Sequence, residues 1–341
     1  MLSFPLRSLS MLAVVLVFGT IIFVPACGKT NGNAAGVCNL AATAQLGANT
    51  SLGGGRVFSA SSYWNQDISN AALDPNSASI IANIGANNTD LRMQGGTFGP
   101  ALTGLPYVVV AGGQEQVSIQ FTNNVHWNPG PYPIPPNAPI EASGPDGHVI
   151  VIDRDNCMLY ELYNAVSLNG GTSWQAAAGA AFDLNSNGTR PSGSHSTDAA
   201  GMPIFPGLIR YDEVASGHIN HALRFAVSTV RLAYLAPAVS CASIGATPTS
   251  ATYTPLGLHV RLKSSIDIST YPQRMQVILQ ALKTYGMYMT DGASLDWYMT
   301  GASDARWDNT EITTLRNIHN TDFEVLQQGP LTIGTIAGLC P

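Results

Sequence analysis

The chain has 341 residues, of which 45% are hydrophobic and only 11% charged, with 34 glycines and 21 prolines. Its formal charge of −6, from 15 Lys+Arg against 21 Asp+Glu, gives no basic footprint for nucleic acid. So little charge excludes a coiled coil and a charge-driven disordered chain, leaving a turn-rich, apolar-cored protein of the kind common outside cells.

Residues 1–26 read as a lipoprotein-type signal peptide. Arg7 supplies a positive n-region, and Met11 to Val24 is an apolar run of 14 residues. That is short of the roughly 20 residues a membrane span needs and right for a signal h-region. The run ends in Val24-Pro25-Ala26-Cys27, which looks like a lipobox that would place a lipid on Cys27. Pro25 is unusual there, and plain secretion follows if Cys27 is unmodified. Residues 27–56, rich in Gly, Ala, Asn and Thr and closed by Gly53-Gly54-Gly55, read as a flexible tether. Residues 57–341 read as a single β-rich globular domain. The expected location is a bacterial membrane surface through the lipid, or the exterior.

Along that domain, apolar and β-branched runs alternate with Gly, Pro and Asn clusters. Strands are expected at Tyr107–Val110, Val117–Thr122, His148–Asp153, Met158–Val166, Ala222–Val227 and Leu258–Lys263. Short strands between such turn clusters favour jelly-roll or sandwich-like antiparallel sheets. The run Pro129–Pro139 lacks the N–H donors of a ladder strand and reads as an extended loop. A small C-terminal α/β elaboration is expected over about 265–330. Its helix begins after Ser269-Thr270 with Pro272 in the first turn, carries Val277, Ile278, Ala281 and Leu282 on one face, and stops at Gly286. A hairpin of Met287–Thr290 with Trp297–Thr300 across Asp291-Gly292 follows, then a shorter helix over Asn309–Arg316.

With Cys27 assigned to lipidation, four cysteines remain, an even number that suggests two disulfides with three possible connectivities. Pairing Cys38 with Cys340 would tie the two ends of the exported chain, leaving Cys157 with Cys241. The spacings fit no cysteine zinc knuckle, and neither a metal nor another cofactor is expected.

The candidate chemistry lies in three strand-associated segments. In the hairpin His148–Asp153 with Met158–Tyr163, a turn centred between Asp155 and Asn156 puts Ile150 opposite Glu161 and His148 opposite Tyr163. Alternation then places His148, Glu161 and Tyr163 on one face with Ile150, Ile152 and Leu159. In the second segment, Asp212-Glu213 occupy a helical turn before His218, His221 and a strand. His221 shares a face with Leu223 and Phe225, and Arg224 points the other way. In the third, His259, Arg261 and Lys263 alternate with core residues, a stripe suited to a carboxylated or sulfated ligand or to a solvated outer face. Trp64, Trp127, Tyr132, Trp174, Trp297 and Trp307 lie near polar loops, where rings can stack on sugars or anchor the core. No GxSxG, Walker A, HExxH or GxGxxG signature is present, and Ser194-His195-Ser196 with Asp198 is a local cluster that does not by itself make a triad.

Three segments, HVIVIDRDNCMLYELYNA (148–165), GMPIFPGLIRYDEVASGHINHALRF (201–225) and the stretch from GLHVRLKSSIDIS to YGMYMTDGASLDWYMTG (257–301), resemble a family of exported bacterial β-rich proteins without an established activity. The resemblance covers most of the chain from about Tyr63 and implies only a shared exported β-rich fold.

The residues point to an exported carbohydrate-active enzyme that cleaves a polysaccharide as a glycoside hydrolase with paired carboxylates. Glu161 with Asp212 or Glu213 would be the pair, Asp153 in reserve, with His148 and His221 orienting groups or shuttling protons. Tyr163, Arg224, Trp127, Trp174, His259 and Arg261 would bind substrate. A polysaccharide lyase is the alternative, with His221 or a tyrosine as base and Arg224, His259 or Arg261 neutralising a uronate carboxylate. A carbohydrate-binding or cell-surface module would use the same aromatics without chemistry. A metal on His148, Glu161 and His221 is a weaker option. The expected partner is a polysaccharide or cell-surface glycan, with membrane contact only through the N-terminal lipid and no nucleic acid.

Overall fold

The computed structural model describes residues 38–84, 89–123, 128–142, 145–241 and 253–334. Cys27 and Cys340, Trp127 and the signal segment lie outside the described residues. No helix among the described residues is long and apolar enough to cross a membrane.

The fold is mainly β. One sheet has five strands in the order Gly47–Ala48, Val108–Val110, Val149–Asp153, Met158–Tyr163 and Ala178–Asp183. A second has six, ordered Phe323–Val325, His259–Leu262, Met287–Gly292, Leu223–Val227, Tyr298–Thr300 and Arg92–Gln94. All six expected strands form, trimmed at their ends. The sheets are mixed rather than antiparallel: Val108–Val110 runs parallel to Val149–Asp153, and Leu223–Val227 runs parallel to Met287–Gly292.

Residue alternation explains how the five-stranded sheet is buried on both sides. Val109, Ile150, Ile152, Leu159, Ala180 and Phe182 enter a large core that also holds Phe225, Val260 and Met289 of the six-stranded sheet. Val108, Val110, Val149, Val151 and Leu162 enter a smaller core with Tyr132, Ile134 and Trp174. That second core lies under a three-stranded sheet in which Ser173–Ala176 pairs with Ser118–Phe121 and Val166–Leu168.

The central hairpin has the expected register, with Ile150 opposite Glu161 and Ile152 opposite Leu159. The helix Gln273–Thr284 follows Pro272 and buries Met275, Val277, Ile278, Leu279, Ala281 and Leu282. Gly286, at φ 67°, ends this region in the left-handed conformation that glycine adopts without steric cost. Its Cβ-free side lets the turn lie against Val260 and His259. The shorter helix covers Asn309–Thr314, capped by the Asp308 carboxylate, and a 3-10 turn, Leu315–Asn317, extends it.

Several expectations are corrected. Residues 38–56 are not a free tether: Leu40 and Leu52 are buried, and Gly47–Ala48 pairs with Val108–Val110 as a sheet edge. Apolar residues among the glycines provide the burial that composition alone concealed. The same segment carries Cys38 to Cys157 at the end of the central hairpin, and these two form a disulfide with a Cα–Cα distance of 6.0 Å. This overturns the Cys38–Cys340 and Cys157–Cys241 assignment; Cys241 is also disulfide-bonded. Met287–Gly292 and Tyr298–Thr300 do not form a hairpin either, because Leu223–Val227 lies between them in the sheet. Trp297, at φ 56° and fully buried, stacks on Phe225 and Phe323 and turns the chain inward there.

The basic stripe is not a solvated face. His259 and Arg261 are buried, because their strand is interior to the sheet and covered on the stripe side. His259 stacks on Tyr288 and hydrogen-bonds the Tyr285 carbonyl at 2.8 Å. Arg261 donates to Glu324 at 2.7 Å and also to the Ile68 carbonyl.

Candidate functional site

The residues singled out from the sequence separate into two assemblies. The first surrounds the helix Tyr211–Ser216, which puts Asp212 and Glu213 in its first turn and ends at Gly217 in the left-handed conformation. Arg210 donates to Glu213 Oε1 at 2.5 Å, and His221 Nε2 lies 3.1 Å from Glu213 Oε2. Burial alone would raise the Glu213 carboxyl, but Arg210 and His221 outweigh it and hold the group below its usual range. His221 Nδ1 is 2.9 Å from the Ala222 carbonyl, so both ring nitrogens face oxygen acceptors. Asp212 Oδ2 accepts from the Ser51 hydroxyl at 2.9 Å and the Leu52 N–H at 3.2 Å. A cleft of about 360 Å³ opens here between Gly53–Val57 and the helix. The carboxylates of this assembly clasp the N-terminal segment and an arginine–histidine pair.

The second assembly forms around Arg224. Its strand, Leu223–Val227, is buried along its whole length, so the guanidinium must find its partners inside the protein. Nη2 donates to Asp198 Oδ2 at 2.5 Å and lies 3.7 Å from Asp291 Oδ2, while Nη1 donates to the Thr300 hydroxyl at 3.0 Å. Two carboxylate oxygens on one nitrogen are at most about 6 Å apart. Gly207 permits the close approach: a Cβ there would meet Arg224 Cβ at 3.0 Å and the Trp64 ring at 2.8 Å. Arg224 Nε is buried without a hydrogen-bond partner among the described residues.

Around this ion pair lie groups from both large sheets. The Glu141 N–H donates to the His148 carbonyl at 2.9 Å, and the His148 N–H reaches Glu141 Oε2 at 3.4 Å. The His148 ring packs against Tyr163 with centroids 5.4 Å apart, matching their expected opposition in the hairpin. Tyr163 hydrogen-bonds Asp146 and senses the charges of both Asp291 and Glu141. Asp198 is fixed by the Ala200 N–H at 2.8 Å as well as by Arg224. Asp291 stands at the end of its strand, its side chain 34% exposed, so the centre opens to solvent on that side.

Electrostatics distinguish these groups. Burial, reinforced by the Asp198 charge, pushes the Asp291 carboxyl up to about 7. Burial does the same to Glu141, also to about 7, although the His148 backbone and Arg224 oppose it. His148 is pushed down to about 3 by burial and by Arg224, and stays neutral. Burial would weaken the Arg224 cation, but Asp198 and Asp291 hold its pKa above the usual guanidinium value. Burial is thus the main cause that moves Asp291, Glu141 and His148 toward neutrality, while Arg224 keeps its charge.

Glu161 adjoins this centre without opening to solvent. It is fully buried and accepts from the Thr197 hydroxyl at 2.9 Å, from the Ile204 N–H at 2.9 and 3.2 Å, and from the Phe205 N–H at 2.9 Å. Burial raises it to about 7. Together Glu161 and Asp198 pin the segment 197–205 onto the two sheets. Asp198 therefore serves Arg224 rather than a Ser-His-Asp triad, and His195 Nδ1 faces Ser240 at 3.2 Å. Asp153 holds the hairpin turn, accepting from the Asn156 N–H and side chain.

His148, Glu161, Tyr163 and Arg224 thus come together, as do Asp212, Glu213 and His221, but the two sets face different surroundings. His148, Glu161 and His221 do not converge on a metal, and no group of three or more His, Cys, Asp or Glu among the described residues is arranged to hold one. Trp64, Trp174, Trp297 and Trp307 are buried, as is Tyr132, so they anchor the cores rather than offer faces to a sugar. Sequence reasoning missed Glu141, Asp198 and Asp291 as members of the centre. Their signal is that charge is scarce: Asp291 ends a run of four buried residues, Met287 to Thr290.

The fold and centre define a mainly β, mixed-sheet protein with a cluster of buried and half-buried carboxyls around Arg224. No family model matches the chain, and no match was found among curated proteins or among solved structures.

Proposed function

We propose that this chain is an exported enzyme, lipid-anchored or secreted, that hydrolyses a polysaccharide with paired carboxyl groups at the Arg224 centre. The observation that carries the reading is the geometry of the Arg224 centre: a partly exposed Asp291 lies 3.7 Å from Arg224 Nη2, and Tyr163 meets the charges of both Asp291 and Glu141, whose carboxyls burial pushes up to about 7. Near neutral pH one can hold a proton while the other is ionised, the division of labour that glycoside hydrolysis requires. Asp291, the more exposed, acts as the general acid toward the glycosidic oxygen. Glu141 acts as the second carboxylate, and Tyr163 stands where it meets the field of both. Asp198 and Arg224 position Asp291 and tune its proton affinity.

We favour this pair over Glu161 with Asp212 or Glu213 because Glu161 is closed off from solvent and Glu213 is held ionised between Arg210 and His221, while Asp212 fastens Ser51 and Leu52. A sandwich or jelly-roll-like frame is the architecture we propose to support the cleft. The lyase reading loses ground because Arg224, His259 and Arg261, its uronate neutralisers, are buried with protein partners.

The test is a depolymerisation screen of the full exported chain on neutral and uronate-containing glycans. The expected result is new reducing ends without ultraviolet-absorbing unsaturated products. Unsaturated products would establish the lyase. Retention on a glycan with no product would establish a binding module.

A further inference from the structure

A second cleft, of about 350 Å³, lies away from the Arg224 centre and shares no lining residue with it. Its walls include Leu235, Leu258, Leu326 and Leu331, with Tyr253, Arg231, Asp74, Asn76 and Asn83 at the polar positions. We infer that this cleft binds a carboxylate-bearing sugar, with Arg231 taking the carboxylate and Tyr253 the ring face.

Arg231 carries the argument. It belongs to the strand Val230–Tyr234, which lies between Thr254–Leu256 and Thr332–Ile333. In a chain with 15 basic residues, Arg210, Arg224, Arg261, Arg274 and Arg306 all pair with carboxylates. Arg231 has no ion pair or side-chain hydrogen bond among the described residues, and its Nε is buried without a partner. A half-buried guanidinium in that condition is a fork suited to a planar carboxylate.

The second observation is Tyr253, which is 37% exposed and one of the few large apolar side chains left open. Its ring gives the cleft an amphipathic face of the kind sugars stack upon, a role the buried tryptophans cannot fill. Hydroxyl recognition falls to Asp74 and Asn76. Asp74 Oδ1 accepts the Asn76 N–H at 2.7 Å, which fixes the two side by side on the cleft wall. Gln328 is a structural wall: its amide donates to the Ala236 and Gly257 carbonyls, and its oxygen accepts the His259 N–H. An apolar cleft with a few convergent polar groups and one unpaired cation is the composition of a small-ligand site.

The experiment is isothermal titration of the full exported chain with a galacturonate trisaccharide, the uncharged galactose trisaccharide of the same linkage, and sodium acetate. Binding of the acidic trisaccharide at least tenfold tighter than either control is expected. Arg231→Gln should reduce that binding at least tenfold and Arg231→Lys should restore only part of it, while Tyr253→Ala weakens both trisaccharides. Asp291→Asn should bind as the unaltered protein does, which separates this site from the proposed catalytic one. No binding of the acidic trisaccharide, equal binding of the neutral one, equal binding of acetate, or unchanged binding in correctly folded Arg231→Gln would each overturn the inference.

Discussion

Arg224 Nη2 stands 3.7 Å from an Asp291 carboxylate oxygen, although the two residues lie on neighbouring parallel strands that the sequence separates widely. The contact is possible because Leu223–Val227 inserts beside Met287–Gly292, with Asp198 closing on the same nitrogen from the loop above. One cation therefore serves two carboxyls, one in a short ion pair and one partly open to solvent. A buried arrangement of this kind is held by its completeness, and removing one member exposes what the others contribute.

Replacing Arg224 with Met strands the fully buried Asp198 carboxylate. The expected loss is about 3–5 kcal/mol of folding free energy, the usual cost of leaving a buried charge unpaired. Adding Asp198→Asn to that variant should recover part of the loss, because the stranded charge is gone. Urea unfolding of the two single variants and the double variant measures both effects. A loss under about 1 kcal/mol for Arg224→Met, or no recovery in the double variant, would contradict the ion-pair account.

The buried Glu161 makes stability depend on pH in a definite direction. Its folded pKa, about 7, lies above the ordinary value of 4.5. The stabilisation it provides is therefore complete below about pH 4.5 and is lost as pH rises through about 7. A shift of that size corresponds to roughly 3 kcal/mol. Compared with Glu161→Gln, the unaltered protein should lose melting temperature between pH 5 and pH 8. His148 and His259, depressed to about 3 and about 4, act oppositely: their contribution is present above about pH 6.5 and lost as pH falls through those values. Taking the difference between the two proteins cancels the histidines. A difference that is flat, or that favours the unaltered protein as pH rises, would refute the assignment.

The Cys38–Cys157 bond closes a loop of 119 residues in sequence separation and fastens the N-terminal segment to the central hairpin. Peptide mapping without reduction should recover Cys38 and Cys157 in one linked fragment. Replacing both with Ser should cost roughly 2–5 kcal/mol, as loss of a native disulfide commonly does in small exported domains. A map joining either cysteine to Cys241 would contradict the fold described for residues 38–48.

Local periodicity made a good part of this legible. The turn Arg154–Cys157 set the hairpin register, and strand alternation placed His148, Glu161 and Tyr163 on one face and sent Arg224 away from His221. The helix Gln273–Thr284 was written in its apolar spacing and its glycine stop. What escaped was non-local. Asp291 looked like a turn residue because nothing in the sequence near it announces that Leu223–Val227 will intervene before Tyr298–Thr300. Glu141 follows a proline-rich loop, and only the fold brings it beside His148. Cys38 could not be paired without knowing that Leu40 and Leu52 are buried. The stripe of His259 and Arg261 was misjudged because alternation assigns faces without saying which of them another layer covers.

The acid–base chemistry we propose belongs to Asp291 and Glu141 rather than Glu213, and the decisive measurement is the rate at which Asp291→Asn, Glu141→Gln and Glu213→Gln depolymerise whichever glycan the unaltered protein cleaves. General acid–base groups contribute about 10²–10⁴-fold. On this assignment, a loss of that size is expected for Asp291→Asn and Glu141→Gln, and a change of less than about threefold for folded Glu213→Gln. Full activity in Asp291→Asn together with inactivity in folded Glu213→Gln would contradict it and move the chemistry to the cleft beside Asp212 and His221.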